Sequence, residues 1–253
     1  MPELALWQWA LLALGAFSVG VSKTGVPGLG IVSVVIFTLL LPTKFSVGAA
    51  LLVLICADLL AVAVHRKNGD LKQVLRLLPW TVAGIALGAQ FLGKVDDRAL
   101  KPVLGGVLLV ICLLSIWRGQ QKAPPEVPVW AAPLVGLAAG FTTMIANAAG
   151  PVTTLYLLAM RLPKETFLGT AAVFFFFINW IKVPFAIFQS KIIDLDSLRF
   201  AVLLFPAAIL GGIVGKPLAE RIPQKRFEQL ALTLTALGSL WMLVGALLAS
   251  RPR

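Results

Sequence analysis

One histidine, two cysteines and one tyrosine in 253 residues leave little material for side-chain chemistry. His65 alone cannot build a histidine metal cluster. Cys56 and Cys112 stand far apart with no CxxC spacing, so they read as small buried hydrophobes rather than a redox pair or a zinc site. An intramembrane enzyme would need a nucleophile with its base, or a metal. Neither is supplied, so the expectation is no enzyme and no cofactor. No GxxxxGK[ST] occurs, which excludes a phosphate-binding loop and ATP-driven work. Charged residues make up only 13% of the chain. The net charge of +11 does not point to nucleic acid, because no basic run is interleaved with aromatics. In a membrane chain, Lys and Arg gather in cytoplasmic loops and beside lipid headgroups instead.

What is present is apolar. Hydrophobic residues make up 59% of the chain and mean hydropathy is +0.93. A span needs about 20 apolar residues, so the length allows roughly eight to ten passes with short loops. The expected fold class is an all-α polytopic membrane protein. Met1-Pro2-Glu3 has no positive n-region, so Leu4 to Gly20 reads as a first membrane segment rather than a signal peptide. Apolar segments follow at about 31–41, 45–64, 77–92 and 103–117. A polar, proline-rich stretch containing Pro124, Pro125 and Pro128 then reads as a linker. Further segments are expected at about 129–145, 152–160, 166–188, 198–214 and 227–248. The organisation is therefore a first transmembrane repeat at 1–118, a linker at 119–128 and a second repeat at 129–253.

Two places interrupt the apolar pattern. Ser22-Lys23-Thr24-Gly25-Val26-Pro27-Gly28-Leu29-Gly30 is too rich in glycine and proline for continuous helix, and it carries a lysine. Ala146-Asn147-Ala148-Ala149-Gly150-Pro151 is a second break of the same kind. Each half opens with a broken or re-entrant helix pair around its break. Lipid-facing irregular backbone is forbidden, so the breaks must face protein or a water-filled cavity. A helix starting inside the membrane leaves unpaired N–H groups and a dipole that attract an anion. Pro27 and Pro151 suit the first turn of such helices. Lys23 adds a full positive charge, and Thr24, Asn147, Thr153 and Thr154 add hydrogen-bonding groups.

The halves look like copies. Offset by 121 positions, Gly15 falls on Gly136, Pro42 on Pro163, Gly48 on Gly169 and Asp58 on Asn179. The offset grows at the connections, where Asp70 falls on Asp194 and Gly84 and Gly88 fall on Gly211 and Gly215. Duplicated halves are a common transporter plan. If each broken pair is a hairpin or two passes, the halves are inverted and one side collects more Lys and Arg than the other. If each is one kinked pass, the halves are parallel and the two sides are even. The positive-inside rule favours inversion, with both termini outside the cytoplasm. Ionisable residues at midspan are costly and therefore carry meaning. Asp58, Asn179 and Lys182 lie there. Asp58 can pair with Lys23 or Lys182, or carry a coupling proton.

The first break from Gly20 to Gly28, with Ala146 to Pro151 in the second half, resembles the TauE/SafE family of sulfite exporters and related anion permeases. The resemblance covers nearly the whole chain. It implies a multi-pass transporter of the prokaryotic inner membrane (plasma membrane) that moves sulfite, organosulfonates or other small anions. Met144 stands where Lys23 does in the first half, so the two halves are not electrostatically equal. The expected function is alternating-access transport of a small sulfur-containing anion, sulfite foremost. The alternatives are import of organosulfonates or small carboxylates, or an anion channel. The expected substrate-binding residues are Ser22, Lys23, Thr24, Gly25, Pro27, Gly28, Asn147, Gly150, Pro151, Thr153, Asn179 and Lys182, with Asp58 for ion coupling. The expected partners are the small anion and the bilayer, with proton or sodium coupling; substrate identity, direction and oligomeric state stay open.

Overall fold

The computed structural model describes residues 4–94, 110, 113, 117 and 130–249. Most of the expected segment at 103–117, the linker at 119–128 and the boundary between the halves lie outside the described residues. Among the described residues there are nine α-helices and no strand. These are α1 (Leu6–Thr24), α2 (Gly30–Leu40), α3 (Thr43–His65), α4 (Leu71–Lys94), α5 (Ala131–Ala146), α6 (Ala149–Ala159), α7 (Lys164–Pro184), α8 (Leu195–Glu220) and α9 (Gln224–Ala249). Four helical stretches are long and apolar enough to cross a bilayer: Lys44–Asn68, Leu71–Lys94, Lys164–Gln189 and Leu195–Glu220. The chain is a membrane protein. Helices α2 and α6 have 11 residues each. That is about 16 Å at 1.5 Å per residue, about half the hydrocarbon thickness.

Both breaks interrupt helix where glycine and proline predict, with one correction. Pro27 is not in the first turn of α2. Gly28 has φ +96°, a left-handed backbone that no helix interior accepts, so α2 starts only at Gly30 and Pro27 lies in the turn before it. Pro151 is the third residue of α6, as expected of a first turn. Asn147 ends α5 at φ 55°, a conformation Asn tolerates better than most residues.

Two helices outrun the apolar windows. Helix α8 continues past Val214 through Lys216 and Pro217, and Lys216 and Glu220 face each other at 3.9 Å one turn apart, so Lys216 is helical rather than a loop residue. Helix α4 starts six residues before Leu77, at Leu71, and holds Pro79 inside it. At the end of α7, Pro184 has no N–H to donate, and the chain widens into a π-turn over Phe185–Gln189 with Ser190 N–H bonded to the Phe185 carbonyl at 2.9 Å.

Close packing follows the small residues. Helix α1 lies along α8: a Cβ added at Gly20 would strike the Ala208 carbonyl, and one at Gly211 the Phe17 carbonyl. Helix α4 lies along α5 in the same way, with Gly84 against the Leu137 carbonyl and Gly140 against the Thr81 carbonyl. Thus α8 packs on α1, and α4 on α5. The two apolar clusters record these contacts. One joins Leu12, Ala16, Phe37 and Val53 to Phe200, Leu204 and Ala208; the other joins Leu77, Ile85 and Leu92 to Ala139, Met144, Phe174 and Ile178.

Helices α3 and α7 cross at the centre and run antiparallel. Gly48, near the start of α3, abuts Ile192 beyond α7, while Gly169, near the start of α7, abuts Asn68 and Gly69 beyond α3.

One helix end offers a pH test. Asp194 caps α8: its carboxylate accepts from Ser197 N–H at 2.7 Å, and Ser197 Oγ accepts from Asp194 N–H at 2.9 Å. The backbone N–H of Ser197 holds the carboxyl below the usual range. A depressed folded value stabilises above the unfolded value, and the gain is lost as pH falls through the folded one. Asp194→Ala is expected to cost about 1 kcal/mol in thermal unfolding at pH 7. The cost should vanish below about pH 3, under the ordinary aspartate value of about 3.9; an equal cost at both pH values would refute the assignment.

Candidate functional site

The two breaks meet at one cavity. Its wall includes Lys23, Gly28 and Ile31 from the first break and Asn147, Gly150 and Pro151 from the second. Its volume is about 100 Å³. Drug-sized ligands need roughly 300–1,000 Å³, so the space suits an ion of a few heavy atoms. No side chain caps the N-terminus of α2 or of α6. At α2 the N–H groups of Leu29, Ile31 and Val32 already donate to the carbonyls of Val26, Gly28 and Leu29 at 3.1–3.4 Å, so the amide end of α6, at Ala149 and Gly150, is the one placed to meet an anion in the way helix starts do. A Cβ at Gly150 would meet nothing within 4 Å, so this glycine faces the open space.

Three ionisable groups stand at the wall and just behind it. Asp58, on α3 and wholly buried, has Lys23 Nζ at 2.7 Å from Oδ1 and accepts from Asn179 Nδ2 at 2.6 Å on Oδ2. Lys23 comes from the last turn of α1, where the helix dipole favours a cation. Its Nζ also stands 3.8 Å from the centroid of the Phe175 ring. Lys182, on α7 and wholly buried, donates to Asn147 Oδ1 at 2.6 Å, Thr143 Oγ1 at 3.0 Å and Asn179 Oδ1 at 3.3 Å. Asn147 in turn donates through Nδ2 to the Val47 carbonyl at 2.9 Å. One carboxylate thus serves two lysines, and with all three ionised the group carries one formal positive charge in excess.

Two hydroxyls on the wall have no partner. Thr153 on α6 and Thr235 on α9 are each 1% exposed, and among the described residues neither Oγ1 has a hydrogen-bond partner. A buried unmet hydroxyl costs about 1–3 kcal/mol. Most buried polar atoms in proteins are satisfied, so such groups facing a cavity point to a ligand.

The candidate residues from the sequence separate by position. Ser22, Lys23, Pro27, Gly28, Asn147, Gly150, Pro151, Thr153 and Asn179 line the cavity. Lys182 and Asp58 stand one hydrogen bond behind it. Thr24 and Gly25 lie elsewhere. The Thr24 hydroxyl donates to the Gly212 carbonyl at 2.8 Å, its carbonyl meets His65 Nε2 at 2.8 Å, and Gly25 abuts Gly215. These contacts seat the end of α1 against α8. Sequence reasoning missed Thr143, Phe175, Ser33 and Thr235. A threonine in an apolar helix normally bonds its own helix, so Thr235 carried no signal until its partner was found to be missing. Among the described residues no group of His, Cys, Asp and Glu could hold a metal.

A family model described as Sulfite exporter TauE/SafE matches residues 12–242, nearly the whole chain. The chain belongs to the TauE/SafE family. No curated protein and no solved structure matches it. TauE/SafE proteins are transporters rather than enzymes. In this member, the two breaks characteristic of the resemblance are the two walls of the cavity.

Proposed function

We propose that this TauE/SafE protein is a secondary transporter of a small sulfur-containing anion, sulfite foremost, in the prokaryotic inner membrane. The observation that carries the reading is the cavity itself: two uncapped half-helices, the Lys23 ammonium and two unpartnered hydroxyls converge on a space of ionic size. The anion accepts hydrogen bonds from Thr153, Thr235 and the amide end of α6 and balances the excess positive charge. The halves are inverted repeats that rock about the site to expose it alternately. Two observations support inversion. Asp58 and Asn179 are repeat mates and touch, as equivalent residues do only beside a pseudo-symmetry axis; and their helices run antiparallel. Phe167, Leu157 and Leu168 give one wall an apolar character, which favours organosulfonates with a short tail as the second reading.

The test is a thermal-shift panel of sulfite, sulfate, thiosulfate, methanesulfonate and acetate on the purified protein, repeated on Thr153→Val/Thr235→Val. Valine keeps the shape and removes the unmet hydroxyls. The variant is expected to be as stable as the parent, or more so, without anion, and to bind the stabilising anion about 30-fold or more weakly, at roughly 1–1.5 kcal/mol per hydroxyl. Selective stabilisation by methanesulfonate moves the substrate to the second reading. Selective stabilisation by acetate moves the substrate to small carboxylates, and unchanged affinity in the variant refutes the site.

A further inference from the structure

Lys182 is the one buried cation of the site without a carboxylate beside it. Asp58 is already engaged on both oxygens, by Lys23 and by Asn179. Among the described residues, the neighbours of Lys182 Nζ are two amide oxygens, of Asn147 and Asn179, and one hydroxyl, of Thr143. The titratable groups that face it are Lys23 on α1 and Asp58 on α3; α5 presents only Thr143 and Asn147.

This set of partners satisfies the amine in either protonation state. A charged –NH₃⁺ donates to all three oxygens. A neutral –NH₂ donates to the two amide oxygens, which can only accept, and takes the Thr143 hydroxyl proton on its lone pair. Asp58 is held differently: Oδ2 accepts from the Asn179 amide, and Oδ1 lies 2.7 Å from Lys23 Nζ, so a proton on that oxygen is only shared within the pair. Thr143 lies on the cavity wall. When Lys182 is charged, the Thr143 hydroxyl proton is released to point at an anion in the cavity. When Lys182 is neutral, that proton is committed to the amine.

We propose that Lys182 carries the proton that moves with the substrate, charged when the cavity holds the anion and neutral when it does not. This rests on the transport reading above and adds its coupling. The step balances: a proton from hydronium or from hydrogensulfite entering the cavity passes to Thr143 Oγ, the hydroxyl gives its own proton to Nζ, and water or sulfite is left. One N–H bond forms, and one O–H bond at the donor breaks. With Lys23 and Asp58 paired, the charge on Lys182 is the one that needs the anion, and the anion is the charge that needs Lys182. Either one alone at midspan is costly, so the two enter together, and their linkage is reciprocal.

The experiment is titration calorimetry of sulfite into the purified full chain, in two buffers of different ionisation enthalpy at one pH. It yields the protons taken up per anion bound. Ionisation of sulfite itself contributes equally to every variant and cancels in the difference. The parent is expected to take up about one proton more per sulfite than Lys182→Gln, at a pH where Lys182 is neutral in the free protein. Lys182→Arg, permanently charged, is expected to match the low count of the glutamine variant, and it carries the comparison if that variant folds poorly. Equal counts in parent and variants, with sulfite bound by all, overturn the coupling and leave the transport reading standing. No sulfite binding by any of them overturns both.

Discussion

Lys23→Ala is expected to weaken sulfite binding at least about 30-fold, or about 2 kcal/mol, because it removes the cation on the cavity wall and leaves Asp58 uncompensated behind it. The measurement is isothermal titration or the concentration dependence of the thermal shift. Truncation also unpairs a buried carboxylate, so a loss of binding could reflect damage to the fold alone. The double variant Lys23→Met/Asp58→Asn separates the two effects, since it removes both charges and keeps the volumes. It is expected to recover most of the stability and none of the binding. Recovery of binding in the double variant would show that the anion does not read Lys23, and the site would have to be placed elsewhere on the wall.

Asp58→Ala is expected to be the most destabilising single change in the site, at about 3–5 kcal/mol. Asp58 is 0% exposed, with Lys23 Nζ at 2.7 Å from one oxygen and Asn179 Nδ2 at 2.6 Å from the other. Its removal leaves Lys23 without its ion-pair partner and Asn179 Nδ2 without its acceptor. The expected observation is loss of the folded, monodisperse protein at temperatures where the parent survives, with partial rescue by Asp58→Asn, which keeps an acceptor for Asn179. High sulfite concentrations should also rescue partially, since the anion substitutes for the missing charge. A fully stable Asp58→Ala protein would mean that Lys23 is neutral or solvated, contradicting the ion pair on which the charge balance of the cavity rests.

The local features were legible in the sequence because their causes are local. Apolar windows placed α1 through α9 to within a few residues, and where they failed, at Lys216 and Leu71, helix propensity had outrun hydrophobicity. Glycine and proline fixed both breaks, since backbone geometry depends on the residue itself, and the left-handed turn at Gly28 shifted only the start of α2. The proposed duplication rests on matched prolines and glycines and the pair Asp58 and Asn179, which keep their order along the chain. A midspan charge is rare enough that Lys23, Asp58 and Lys182 stood out before any contact was known.

Partner choice was not legible. In lipid, one apolar helix face resembles another, and close approach is decided by small-residue notches that carry no address. Only the tertiary structure showed that α8 packs on α1 and α4 on α5. The same contacts turned Thr24 and Gly25 into packing residues against Gly212 and Gly215. They also brought Thr235 from the last helix to the wall of a cavity whose other groups lie more than 50 positions earlier in the chain. The chemistry of the site was written as single unusual residues. Which of them face the same space was settled by long-range packing, and no local pattern in a chain records that.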